Sequence, residues 1–120
     1  MTIKRNMVIW AELKSCGRSV QNGMRPCIVI SNNTANIHSP VFTVIPGTTK
    51  NKKDDFPVHF SVLPEEVHGR LYKETVFMGE QICTIGKNQI INVLGIIRDK
   101  EVIDKINSVI KRELSLESEE

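Results

Sequence analysis

The sequence predicts a small β-rich α+β fold: five or six short antiparallel strands, as barrel or sandwich, with one C-terminal helix packed on the sheet. Three observations carry this. Short apolar or alternating runs are separated by Gly, Pro, Asn and charged stretches, which punctuates strands. The stretch from Phe56 to Val62 alternates cleanly, with Val58, Phe60 and Val62 on one face and His59 and Ser61 on the other. That period of two is the mark of a half-buried antiparallel strand. Only the C-terminal segment has a helical period. Its apolar residues Val102, Ile103, Ile106, Val109, Ile110 and Leu114 trace a single stripe.

The elements follow in order. Met7 to Leu13 reads as a strand around the apolar block Val8-Ile9-Trp10. Residues 15 to 24 are polar and glycine-punctuated, a loop. Residues 25 to 31 form a continuous apolar run, a second strand buried on both faces. Asn32-Asn33-Thr34 supplies cap chemistry for a helical turn near Ala35 to Ile37. Val41 to Ile45 is a third strand that Pro46-Gly47 ends, and residues 48 to 55 are a charged loop. The alternating strand follows, then one from Leu71 to Met78, then Ile90 to Ile97 interrupted by Gly95. Asp99 caps the final helix, with Asp104, Lys105, Lys111 and Arg112 on its polar side.

A chain of 120 residues is long enough for one core without disulfide or metal staples. We expect a single domain over residues 1–116 and an acidic disordered tail over 117–120. The formal net charge is +2, but Glu117, Glu119 and Glu120 mask a more basic body, compatible with an anionic partner. Three cysteines, Cys16, Cys27 and Cys83, form no CxxC pair, which argues against a disulfide framework or zinc ribbon. Cys27 reads as a small core residue. The apolar stretch after the basic first residues stops at Glu12, too short for a signal sequence. No run approaches the roughly 20 residues that span a bilayer. The expectation is a reduced, cytoplasmic protein. His38 and His68 have no metal-ligand spacing, and neither metal nor cofactor is expected.

The most informative stretch is Gly23-Met24-Arg25-Pro26, running into Cys27-Ile28-Val29-Ile30. It sets a guanidinium at the mouth of a strand, where a planar fork of donors can grip a phosphate. A second polar cluster, Pro46-Gly47-Thr48-Thr49-Lys50, also sits just past an apolar run. A threonine there can hydrogen-bond a non-bridging phosphate oxygen and hold it in line. Without further support, Arg25 as a surface ion pair and Thr48 as a turn residue is the favoured reading. Glu80, after Gly79, is a carboxylate that can orient Arg25 or be a solvated residue. Lys50, Lys52 and Lys53 can meet an anionic partner electrostatically or simply be solvated. His59 is a candidate base that carries little weight on its own.

Three segments in order resemble the MazF/PemK/Kid family of toxin endoribonucleases. The first is Ile9-Trp10-x-x-Leu13 with the loop ending in Gly23-Met24-Arg25-Pro26-Cys27-Ile28-Val29-Ile30-Ser31. The second is Val44-Ile45-Pro46-Gly47-Thr48-Thr49, and the third Gly79-Glu80-Gln81-Ile82-Cys83-Thr84-Ile85. The similarity runs from about residue 4 to 114. It implies an SH3-like barrel of about five to seven antiparallel strands with a C-terminal amphipathic helix. It also implies a homodimer, a small antitoxin that blocks the RNA groove, and metal-independent, sequence-specific cleavage of single-stranded mRNA. The products would be a 2′,3′-cyclic phosphate and a 5′-hydroxyl. Arg25 and Thr48 match the positions on which the family's catalysis rests. Glu80, Thr49, Lys50, Gln81 and Gln21 fall in segments implied to bind substrate. This chain departs from the usual pattern. Arg5-Asn6-Met7 stands where the family usually has Arg-Gly-acid, Val20 where an acid is common, Cys83 where arginine is common, and Met78 where one subfamily has arginine. Two alternatives follow: a CcdB-like toxin of related fold that binds gyrase and cleaves nothing, and a member that binds RNA or antitoxin without turnover. Cleavage needs the Arg25/Thr48 pair; gyrase binding does not.

Overall fold

A computed structural model describes residues 2–14, 23–49 and 56–116. Strands β1 (Met7–Leu13), β2 (Gly23–Val29) and β3 (Val41–Thr48) are followed by β4 (His59–Val62), β5 (His68–Gly69), β6 (Thr75–Met78), β7 (Cys83–Gly86) and β8 (Ile90–Ile96). Helix α1 (Asn33–His38) lies between β2 and β3, and α2 (Lys100–Glu113) follows β8. The strands form one eight-stranded antiparallel sheet in the order β4-β6-β3-β2-β1-β8-β5, with β7 also on β3. Its edge strands β4 and β5 are not paired with each other among the described residues. The β-rich α+β class is as expected, with eight strands in place of about five to seven.

The sheet buries a cluster on each face. Ile9, Ala11, Cys27, Val29, Phe42, Val44 and Ile85 form one, lined by β7, β3, β2 and β1, with Ile90 and Val93 of β8 against it. The expected closure into a barrel is not seen among the described residues, where β7 and β8 are joined through the sheet only by way of β3, β2 and β1. A 3-10 turn, Lys87–Gln89, joins β7 to β8, and Gln89 ties that corner down by accepting from Gly86 N and donating to Glu12 O. The second cluster, on the opposite face, holds Val8, Ile28, Ile45, Phe60, Val62 and Phe77 beneath Val102, Ile106 and Val109 of α2. Asp99 caps α2, its carboxylate accepting from Glu101 N at 2.8 Å. Asn32 caps α1 in the same way through Ala35 N.

Several boundaries differ from expectation. Strand β2 begins at Gly23, so Arg25 lies inside the strand and not at its mouth. Pro46-Gly47 does not end β3, which continues to Thr48. Alternate residues of a strand direct their backbone groups to opposite flanks. Ile30 N donates to Thr43 O on the β2 flank, so Pro46 faces the other flank. There β7 pairs up to Val44 and β6 pairs from Gly47, so the missing N–H of proline falls where β3 changes partners. The strand expected from Leu71 begins only at Thr75, and the one expected from Phe56 only at His59. Gly95 does not interrupt β8. It lets β5 approach, since a Cβ there would lie 2.4 Å from His68 O. The loop expected over 15–24 falls mostly outside the described residues, as do the loop over 50–55 and the tail over 117–120.

Candidate active site

Arg25 and Thr48 are brought together by the β2–β3 register. Cys27 is opposite Pro46, Ile28 opposite Ile45 and Val29 opposite Val44. Continued by two residues, that register sets Arg25 across from Thr48. Directly opposed side chains on neighbouring strands have Cβ atoms about 5 Å apart. Arg25 Nη1 donates to Gly47 O at 3.4 Å, which fixes the guanidinium over this end of β3. Thr48 is 3% exposed, and Arg25 is half-buried. Gly47 between them is required by packing: a Cβ there would stand 2.6 Å from Thr75 Cγ2 and 2.8 Å from the Phe77 ring.

The same register extends the row. Thr48 pairs with Val76 and Val76 with Ser61, while Met78 pairs with His59. Phe60, Val62 and Phe77 belong to the cluster under α2. By alternation, His59 and Ser61 therefore share the sheet face of Arg25 and Thr48. His59 Nε2 lies 2.8 Å from the Glu80 carboxylate. A carboxylate only accepts, so Nε2 is the donor. Glu80 sits on a 3-10 turn, Gly79–Gln81, directly after β6, and Gly79 N anchors that turn to Val58 O.

The other expected site residues divide plainly. Glu80 faces the Arg25 side of the sheet through its bond to His59. Thr49 is exposed beyond the end of β3 and lines a cavity of about 410 Å³ with Trp10, Pro26, Leu71, Tyr72 and Asn92. That cavity lies on the opposite face from Arg25. Gln81 is half-buried on the turn that carries Glu80. Gln21 and Lys50 lie outside the described residues, with Lys52 and Lys53. The contact that sequence reasoning missed is His59–Glu80. The alternation of residues 56–62 already put His59 on the polar face, but nothing local indicates a partner 21 residues away. Cys27, two residues along β2 from Arg25, is fully buried. Burial pushes its thiol well above the ordinary range and nearby Cys83 adds to the shift, while Arg25 offsets part of it.

Residues 4–114 match the model of the PemK-like, MazF-like toxins of type II toxin-antitoxin systems. The chain belongs to this family. It is 32% identical over 107 residues to the endoribonuclease MazF of Staphylococcus saprophyticus, covering 89% of this chain and 88% of that protein. It is 31% identical over 119 residues to the endoribonuclease EndoA of Bacillus subtilis, covering 97% of each. Among solved structures, a mycobacterial endoribonuclease in complex with its cognate antitoxin shares the fold. The TM-score is 0.75 at 22% identity, covering 98% of this chain and 99% of that one. The PemK/MazF membership accounts for the order of the three segments in which Arg25, Thr48 and Glu80 occur.

Proposed function

We propose that this MazF-like toxin is a metal-independent endoribonuclease that cuts single-stranded mRNA at specific sequences, using Arg25 and Thr48. The observation that carries the reading is the cross-strand placement of these two residues, in a chain about 31–32% identical to curated endoribonucleases. A 2′-hydroxyl gives up its proton as it attacks the adjacent phosphorus, and the 5′-oxygen takes up a proton as it leaves the pentacovalent phosphorane. This yields a 2′,3′-cyclic phosphate and a 5′-hydroxyl. Charge accumulates on the non-bridging oxygens, and the barrier falls when preorganised donors meet that charge. The Arg25 guanidinium, held by Gly47 O, presents a fork of further donors toward it. The Thr48 hydroxyl, fixed by the end of β3, orients one of those oxygens for in-line displacement. In this reading Arg25 acts electrostatically, as a planar fork of donors fitted to phosphate.

The partners in this reading are mRNA, a cognate antitoxin and a second copy of the chain, in the cytoplasm. Residues 1–116 act as one domain. Support for the antitoxin comes from the toxin-antitoxin family. Support for the dimer comes from apolar surface on the far side of the sheet. Trp10 and Pro26 line the cavity beside Leu71 and Tyr72, Tyr72 is 81% exposed and Met24 50% exposed.

The test is incubation of the purified protein with a long single-stranded RNA in EDTA, beside Arg25→Ala, followed by mapping of 5′-ends. Discrete cuts are expected from the wild type and a loss of at least 100-fold from Arg25→Ala. Both proteins should melt together. Full activity of Arg25→Ala would remove the mechanism. Cleavage that vanishes in EDTA and returns with magnesium would indicate a different nuclease chemistry. No cleavage by either protein would favour the gyrase-binding or inactive alternatives, which a supercoiling assay separates.

A further inference from the structure

We propose that Phe56, His59 and Glu80 form a nucleobase subsite beside the scissile phosphate, in which Glu80 accepts from the amino group of an adenine, cytosine or guanine. The inference rests on the ribonuclease reading and specifies how its substrate is chosen. Three observations converge. His59 and Glu80 lie on the same sheet face as Arg25 and Thr48. Two strand spacings separate β4 from β3, roughly 10 Å, the breadth of a short stretch of single strand. Phe56 packs edge-on to the His59 ring, centroids 4.9 Å apart at 65°, and is 50% exposed. An exposed ring is a platform on which an unstacked base can rest.

The carboxylate then supplies the readout. Glu80 has a 29% exposed side chain, whereas His59 is only 9% exposed. His59 holds one carboxylate oxygen, and a carboxylate so held keeps lone pairs for a ligand. It can accept only, so it favours a base edge that carries an amino group; the one donor on the edge of uracil, N3–H, is flanked by two carbonyl oxygens that repel a carboxylate. His59 is a positioning residue. Its Nδ1 is buried without a hydrogen-bond partner among the described residues, so the ring's one polar anchor is Glu80, with the Phe56 edge as its packing neighbour. Each of the pair therefore fixes the other, and the carboxylate is preorganised in place of sweeping through solvent.

The experiment is cleavage of an RNA pool randomised around the cut, read by 5′-end sequencing. It compares wild type, Glu80→Gln, His59→Ala, His59→Gln and Phe56→Ala. Wild type should deplete uracil at least tenfold at one position near the cut. Glu80→Gln should admit uracil at that position alone, because an amide donates as well as accepts. His59→Ala should relax the same position, and His59→Gln, which keeps a donor near the place of Nε2, should restore it. Phe56→Ala should raise KM more than it lowers kcat. An unchanged sequence profile in Glu80→Gln overturns the inference while leaving the ribonuclease reading intact. Wild type that cuts no RNA overturns both. If His59→Ala does not fold, the exposed Glu80→Gln variant decides alone.

Discussion

Asn6 shows how one departure from the family's pattern keeps the backbone. It occupies the left-handed region with φ 73°, where the family usually has glycine. Asparagine tolerates that region better than other side-chain-bearing residues. Its backbone is committed on both sides: Asn6 N donates to Val29 O and Asn6 O accepts from Ile97 N. Asn6→Ala should therefore cost about 1 kcal/mol and lower Tm by about 4 °C in a thermal melt. Asn6→Gly should be close to neutral. Cys27 gives a second prediction at this scale. The thiolate is the reactive form, and burial both shields the sulfur and raises its pKa. Cys27 should resist iodoacetamide at pH 8 in the native protein and react fully in denaturant, as peptide mass mapping will read. At the residue scale the sequence was informative where chemistry and local pattern coincide, as at Cys27, whose apolar run foretold its full burial. It was uninformative about His59, whose significance depends on a distant partner.

Helix α2 was legible because its signal is local. A 3.6-residue stripe, an Asp99 cap and a polar opposite face together specify both period and start. Of the six residues the stripe names, Val102, Ile106 and Val109 are buried, Ile103 and Ile110 pack partly buried beside them, and Leu114 at its end is exposed. Ile106 is fully buried against the sheet. Ile106→Ala should cost about 2–5 kcal/mol through lost burial and the cavity left behind. Asp99→Ala should cost about 1 kcal/mol. Urea unfolding measures both, and equal losses would mean the helix is held by its cap as much as by its packing. Strand β3 was misread for the converse reason. Proline normally stops a strand, and only the change of partner from β7 to β6 makes Pro46 harmless. That exchange is a property of the sheet and has no local signature. Strand β5 was likewise missed, because its two residues are ordered by β8 and not by their own propensity.

The whole molecule separates its two surfaces by alternation along single strands. Arg25 and Thr48 point to one face of β2 and β3, and their neighbours Pro26 and Thr49 line the cavity on the other. A partner copy covering Trp10, Tyr72 and Met24 would leave the Arg25 face open to RNA. Two copies related by a two-fold axis would meet through identical apolar patches, which is self-complementary and closes at two. Tyr72 is the sharpest probe of that arrangement. Its side chain is 81% exposed in the single chain, so Tyr72→Glu should leave the fold of the chain unchanged, as its circular dichroism spectrum will read, while its Tm loses whatever the second copy contributes. A charge at the centre of an apolar interface is costly to desolvate. Sedimentation equilibrium should therefore show the variant falling toward the chain mass of 13.6 kDa, with the wild type at twice that value. Because Arg25, Thr48, His59 and Glu80 all come from one chain, the monomeric variant should still cut RNA, losing less activity than Arg25→Ala. A variant that stays dimeric would move the interface elsewhere. A monomer as inactive as Arg25→Ala would mean that the second copy completes the site.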